Sequence, residues 1–191
     1  MKTGLFFGSF NPIHIGHLAI ANYLAVFTDL EQVWFVVSPQ NPLKPKESLL
    51  SDYHRLALVR EAIGDNTRYK ASNIEFNLPK PSYTINTLTH LKEDYPERQF
   101  VLIMGADNLQ TLHKWKNYEQ ILEQYEVYVY PRKETTPGEF STHPKVKMID
   151  APIMEISATF IRQAIKAKKD VSFFLHAAVY EYIREMHFYE K

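Results

Sequence analysis

Continuous apolar runs alternate with amphipathic stretches along this chain, and the two kinds of pattern keep to different lengths. Leu5-Phe6-Phe7, Val33-Trp34-Phe35-Val36-Val37 and Phe100-Val101-Leu102-Ile103-Met104 are short and lack polar alternation. Such runs fit strands covered on both faces, as in a parallel sheet. The pattern predicts strands at about 3–7, 33–37, 100–104, 125–130 and 145–149, with a weakly alternating strand near an edge at about 69–76. Helices are expected at about 16–27, 52–63, 83–94, 157–167 and 172–186, with a helical stretch containing Trp115 after Gly105-Ala106-Asp107. Ser51 is placed to cap the second helix and Gly64 to stop it. This alternation gives an α/β fold, a doubly wound, mainly parallel sheet with helices on both faces. No repeat or linker interrupts it, so residues 1–191 read as one domain.

In a Rossmann-like sheet of this sort, ligands bind beyond the C-terminal ends of the strands. Five polar or glycine-containing stretches leave the strands there: 8–17, 38–46, 77–84, 105–115 and 152–162. The first, Gly8-Ser9-Phe10-Asn11-Pro12-Ile13-His14-Ile15-Gly16-His17, carries the most chemistry. It joins strand to helix and puts two imidazoles at the helix entrance. Unpaired N–H groups and a partial positive charge suit that entrance to an anion such as phosphate. Gly8 lets backbone approach a ligand, Pro12 stiffens the turn, and His14 and His17 add donors. A tight turn with two capping histidines is the plainer alternative, but the glycines, the proline and the strand–helix context favour the anion site. A second segment, Ile156-Ser157-Ala158-Thr159-Phe160-Ile161-Arg162, places Ser157 at a helix start with Arg162 in the following turn. It reads either as an ordinary N-cap with a solvated arginine or as a second phosphate holder.

Charge narrows the partners. Lysine plus arginine and aspartate plus glutamate both number 22, so no overall basic field directs the chain to a nucleic acid polymer or an anionic membrane. With no cysteine there is neither a disulfide frame nor thiolate chemistry. The remaining histidines, His54, His90, His113, His143, His176 and His187, lack metal-ligand spacing and read as structural or surface residues. No membrane-length apolar run or basic leader is apparent, so the cytoplasm is the default expectation. Homo-oligomerisation stays open.

The first decapeptide resembles the signature of the nucleotidyltransferases with a His-x-Gly-His turn. The commonest form of that signature has a second glycine ahead of Phe10, and Asp where Asn11 stands. Asn supports the same side-chain-to-backbone bonds in a turn. The segment from Ile156 to Arg162 resembles the second signature of the same superfamily, in the expected order. Between them, Pro81-Ser82-Tyr83-Thr84-Ile85-Asn86-Thr87-Leu88, Gly105-Ala106-Asp107-Asn108-Leu109 and Trp115 are similar to the bacterial nicotinate-nucleotide adenylyltransferases. The resemblance spans nearly the whole chain.

That resemblance implies transfer of AMP from ATP to nicotinate mononucleotide, giving nicotinate adenine dinucleotide and pyrophosphate. It implies an ATP site built from Gly8, Ser9, Phe10, His14, His17, Gly105, Asp107, Ile156, Ser157 and Arg162, with Gly105 and Asp107 along the bound nucleotides. Of these, His14, His17 and Arg162 would be catalytic. Tyr83, Thr84 and Trp115 would surround the nicotinate ring, with Asn41 and Lys44 toward the acceptor phosphate. Trp115 could instead be a packing residue, Asp107 a helix cap and Lys44 a solvated lysine. The loop Asn41-Pro42-Leu43-Lys44 lacks the histidine usual in the family, so no role for it carries over. Arg132 is a weaker candidate for a phosphate or the adenine side. Mg²⁺ would arrive with ATP, without a dedicated carboxylate cage. The same signatures also serve pantetheine-phosphate adenylyltransferases and cytidylyltransferases. A nucleotide-binding protein without turnover is the alternative outside the enzymes.

Overall fold

A computed structural model describes residues 1–39, 49–136 and 138–191. Its sheet has the order β3-β2-β1-β4-β5-β6, formed by β1 (Lys2–Gly8), β2 (Gln32–Val37), β3 (Tyr69–Ser72), β4 (Gln99–Gly105), β5 (Glu126–Tyr130) and β6 (Val146–Met148). Every neighbouring pair is parallel. The strand order reverses between β1 and β4, and in open sheets the ligand crevice lies at such a point.

Each apolar run divides by parity between two cores. Phe6, Phe35, Val101, Ile103 and Tyr128 face one layer, whereas Leu5, Trp34, Val36, Leu102, Met104 and Val127 face the other. Successive side chains on a strand point to opposite faces, so a strand covered on both sides must be apolar throughout. The first layer holds α1 (Ile15–Phe27), α2 (Asp52–Ile63), α6 (Ala158–Lys166) and α7 (Ala177–Glu185). The second holds α3 (Thr84–Asp94), α4 (Ala106–Gln110) and α5 (Tyr118–Gln124).

Helix ends follow their caps. Ser51 Oγ accepts from the His54 N–H at the start of α2, and Gly64 ends it at φ 51°, donating its N–H to Arg60 O. The edge position of β3 is as expected, but the strand stops at Ser72 and Ile74–Asn77 form a 3₁₀ turn. That turn carries Glu75, which is 3% exposed. The stretch after Gly105 is also more broken than its pattern. After α4 comes a 3₁₀ turn at Leu112–Lys114, with Trp115 closing it, and Asn117 in the left-handed region opens the separate helix α5. Short 3₁₀ turns also occur at Glu139–Thr142, between β5 and β6, and at Ser172–Phe174, so the last helix starts at Ala177.

The rim opposite the crevice is closed by charge. Lys2 Nζ contacts Asp29 Oδ2 at 2.7 Å, Glu126 Oε2 at 2.9 Å and the Tyr128 hydroxyl at 2.9 Å, and Tyr128 donates to Asp29. Burial alone would lower the pKa of the Lys2 ammonium, but its bonds to Asp29, Tyr128 and Glu126 together raise it. The Asp29 carboxyl is drawn down to about 2 by Lys2 first and Tyr128 second. That lies below an unfolded value near ~3.9, so its stabilisation is present above pH ~4 and is lost as pH falls toward ~2. Asp29 is 55% exposed, which leaves on the order of 1 kcal/mol after screening. Asp29→Asn should therefore lower the urea midpoint near neutral pH and converge on the wild type near pH ~2. An equal gap across that range would show that the loss is one of packing.

Candidate active site

The stretch leaving β1 turns sharply. Phe10 has φ 43° and is 1% exposed, with its ring against Phe6, Phe35 and His17 at centroid distances of 5.9, 5.5 and 5.1 Å. A bulky residue in the left-handed region costs roughly 1–3 kcal/mol, which such packing must offset. The ring also lies over Gly8, where a Cβ would meet Phe10 Cζ at 2.8 Å. Any part Phe10 takes in binding therefore belongs to its backbone.

His14 is the N-cap of α1 and 5% exposed. Its ring stacks on His17, with centroids 3.8 Å apart and 27° between planes. The His14 N–H donates to His17 Nδ1 at 3.3 Å. An Nδ1 that accepts fixes the neutral ring of His17 as the tautomer carrying its proton on Nε2. Burial first, and the positive charge of Arg132 second, push the His14 pKa down to about 4. His14 is therefore uncharged near neutral pH, and its buried Nδ1 has no hydrogen-bond partner among the described residues.

The second signature reaches this turn directly. Ser157 caps α6 by accepting from the Phe160 N–H at 3.1 Å. Arg162 donates through Nη1 to Asn11 O at 2.9 Å and through Nη2 to Thr159 Oγ1 at 3.3 Å. Ile156 is half-buried against the same core, and Ser157 is exposed. Asn11 is 3% exposed, and its Oδ1 accepts from the Leu50 N–H at 3.2 Å and the Tyr189 hydroxyl at 2.8 Å. Both bonds use the side-chain oxygen, the atom that Asn shares with Asp.

Across the switch point, Gly105 ends β4. A Cβ there would collide with Asp107 Oδ1 and meet Arg132 Nε at 3.1 Å. Arg132 Nε lies 3.7 Å from Asp107 Oδ1, and Nη2 donates to the Tyr130 hydroxyl at 3.1 Å. Asp107 thus pairs with an arginine, and the N-cap position of α4 is Gly105. Among the described residues no group of His, Cys, Asp and Glu could hold a metal ion.

On the other flank, Tyr83 is the N-cap of α3, with no side-chain cap, and Thr84 is its first residue. Trp115 is half-buried in the same core as Ile85, Met104 and Leu112. Lys116 Nζ sits 4.6 Å from the centre of the Tyr83 ring, so the Trp115 and Tyr83 segments meet. Asn41 and Lys44 lie outside the described residues.

Arg55 is the organising residue that sequence reasoning missed. Its side chain is fully buried. Nε donates to Leu50 O at 3.0 Å, Nη1 to Ser9 O at 2.5 Å and Ser38 O at 2.8 Å, and Nη2 to Pro39 O at 3.2 Å. Asp52 Oδ1 accepts from Nη2 at 2.7 Å. One guanidinium thus fixes the turns after β1 and β2 and the entry to α2. In the sequence Arg55 is an unremarkable charged residue on an amphipathic helix. Only its position among apolar neighbours, at the inward phase of α2, could have marked it.

The fold and the two joined signatures define a nucleotidyltransferase architecture, and the cytidylyltransferase-like family model matches residues 5–164. A probable nicotinate-nucleotide adenylyltransferase of Flavobacterium johnsoniae is 57% identical over 193 residues, covering 100% of both chains. One of Bacteroides thetaiotaomicron is 50% identical over 185 residues, covering 97% of this chain and 92% of its own. Among solved structures, Plasmodium falciparum nicotinic acid mononucleotide adenylyltransferase complexed with NaAD has a TM-score of 0.82 at 18% identity, covering 99% of this chain and 97% of its own. A putative nicotinate-nucleotide adenylyltransferase of Vibrio parahaemolyticus has a TM-score of 0.74 at 22% identity, covering 100% of this chain and 96% of its own. These two show the likeness of fold. This chain belongs to the nicotinate-nucleotide adenylyltransferase family.

Arg55→Met keeps the length of the side chain but leaves the part-buried carbonyls of Ser9, Ser38 and Leu50 and the buried carbonyl of Pro39 without their donor. The expected loss is about 3 kcal/mol, seen as a fall of roughly 6–12 °C in Tm, with Arg55→Lys intermediate. Thermal unfolding measures this. An unchanged Tm would show that these carbonyls find other donors.

Proposed function

We infer that this protein transfers AMP from ATP to nicotinate mononucleotide, releasing pyrophosphate. The observation that carries the reading is the bond from Arg162 to Asn11 O. It joins residues 151 apart in sequence and ties the second turn of α6 to the turn that leads into the His14–His17 stack. Support also comes from relatives of 57% and 50% identity that carry the same name.

The acceptor phosphate is already an anionic nucleophile, so no strong base or covalent intermediate is needed. One of its oxygens attacks the α-phosphorus, the bond to pyrophosphate breaks, and no proton need move. Catalysis is then positioning and charge neutralisation. His14 and His17 hold the triphosphate at the entrance to α1, with Gly8, Ser9 and the Phe10 backbone lining the turn. In the free protein His14 is neutral. An arriving triphosphate offsets its burial and favours its protonation. Arg162 and the start of α6 at Ile156 and Ser157 stabilise the departing pyrophosphate. Gly105 and Asp107 border the nucleotide from the other side of the switch point, and Arg132 adds charge there. Mg²⁺ enters as part of MgATP, with phosphate and water as its main ligands. Tyr83, Thr84 and Trp115 receive the nicotinate ring and its carboxylate, and Asn41 and Lys44 the acceptor phosphate.

Pyrophosphate release with ATP and a panel of acceptors tests the function. Nicotinate mononucleotide should exceed its amide in kcat/KM, because donors awaiting a carboxylate pair poorly with an amide. Comparable values for the two would count against the pocket, and preference for phosphopantetheine would sink the reading.

His17→Ala should lower kcat by roughly 10²–10³, since it removes one preorganised donor to developing charge, and should lower the melting temperature by only about 2–4 °C through loss of the bond from the His14 N–H. Steady-state kinetics beside a melting curve measure both. A folded His17→Ala protein with near-normal kcat would remove His17 from the catalytic set.

A further inference from the structure

Glu75 is the one buried carboxylate among the described residues, 3% exposed, and no ion pair of those residues includes it. A carboxylate without a cation is costly to bury unless hydrogen bonds compensate. Here the compensation comes from hydroxyls on separate segments. Thr87 Oγ1, in the first turns of α3, donates to Oε1 at 2.7 Å. Ser82 Oγ, in the loop entering α3, donates to Oε2 at 3.3 Å. The side chain of Ser38, just beyond β2, also hydrogen-bonds Glu75. Burial pushes the Glu75 carboxyl pKa up, and these hydroxyls act in the opposite direction.

The geometry is that of a brace. The Thr87 hydroxyl and N–H also approach Tyr83 O, at 3.4 and 3.3 Å, so Glu75 is one contact removed from the N-cap of α3. Ser38 in turn donates its N–H to Gly8 O at 2.9 Å and accepts from Arg55 through its carbonyl. Glu75 therefore ties the start of α3 to the end of the strand pair that carries the phosphate turn. A fully satisfied buried polar network fixes one arrangement where an apolar side chain would tolerate several. The segment so fixed, Ser82 to Thr84, contains Tyr83 and Thr84, assigned above to the nicotinate ring and its carboxylate.

We propose that Glu75 is a positioning residue for the acceptor, setting the register of Ser82, Tyr83 and Thr84 against the triphosphate turn through its bonds to Thr87, Ser82 and Ser38. This rests on the reading of nicotinate mononucleotide as acceptor. It assigns no contact between Glu75 and either substrate. The effect should fall on acceptor affinity, because the ATP side is built from β1, α1, β4 and α6.

Steady-state kinetics and melting curves on Glu75→Gln, Thr87→Val and Thr87→Ser test it in the full chain. Glu75→Gln and Thr87→Val should raise KM for nicotinate mononucleotide about tenfold, the scale of one hydrogen bond to a charged group, with KM for ATP and kcat within about twofold. Thr87→Ser, which restores the hydroxyl, should return acceptor KM to near the wild-type value. If Glu75→Gln does not fold, the Thr87 pair decides alone. Unchanged or lowered acceptor KM in the folded variants overturns the assignment, as does a parallel change in acceptor KM, ATP KM and kcat. A wild-type protein that does not use nicotinate mononucleotide overturns the function and the assignment with it. Wild-type turnover with unaltered variants overturns the assignment alone.

Discussion

The buried guanidinium of Arg55 is the interaction on which the functional rim depends. Loops at the end of a parallel sheet expose backbone carbonyls that no ladder satisfies, and packing loops against one another removes water as an alternative partner. Arg55 supplies a rigid planar set of donors in one place, and the carbonyls of Ser9, Ser38, Pro39 and Leu50 converge on it. Lysine has the charge but not the fork, so the geometry is specific to arginine. The turn after β1 is thereby held in place from beneath.

On that support the first signature is built with little slack. Phe10 sits in a costly backbone region because its ring completes the packing of Phe6, Phe35 and His17. The same ring occupies the space where a Gly8 side chain would stand. Histidine stacking and the bond from the His14 N–H to His17 Nδ1 then fix one ring and its tautomer. Burial keeps His14 neutral in the free protein, aided by Arg132. Positive charge at the turn is thus carried by Arg132 and Arg162 and not by His14.

The two rims of the sheet use charge differently. At the N-terminal rim, Lys2, Asp29, Glu126 and Tyr128 close on one another, and opposite charges are mutually satisfied. At the C-terminal rim, Arg55 is spent on four carbonyls and the Asp52 carboxylate and Glu75 on hydroxyls, both of them meeting at Ser38. Neither neutralises the other. Each orients backbone beyond the C-terminal end of β2, and Arg55 also beyond that of β1, the strand beside the point where the strand order reverses.

The sequence by itself determined the class of fold and the two signatures. Both depend on local information: apolar runs for strands buried on two faces, caps such as Ser51 and Gly64, and glycine, proline and histidine at fixed spacing. Pattern could not show that the run after Ser72 turns into 3₁₀ geometry, because Glu75 looks like an exposed acid in a weak strand. Nor could it separate α5 from the stretch holding Trp115, a break made by a left-handed Asn117. Tertiary structure alone decided that Arg162 reaches Asn11, that Arg132 faces Asp107 and lowers the pKa of His14, and that Arg55 is buried. Those outcomes rest on long-range contacts in a low-dielectric interior, where the partner sets a side chain's role and local sequence does not name the partner.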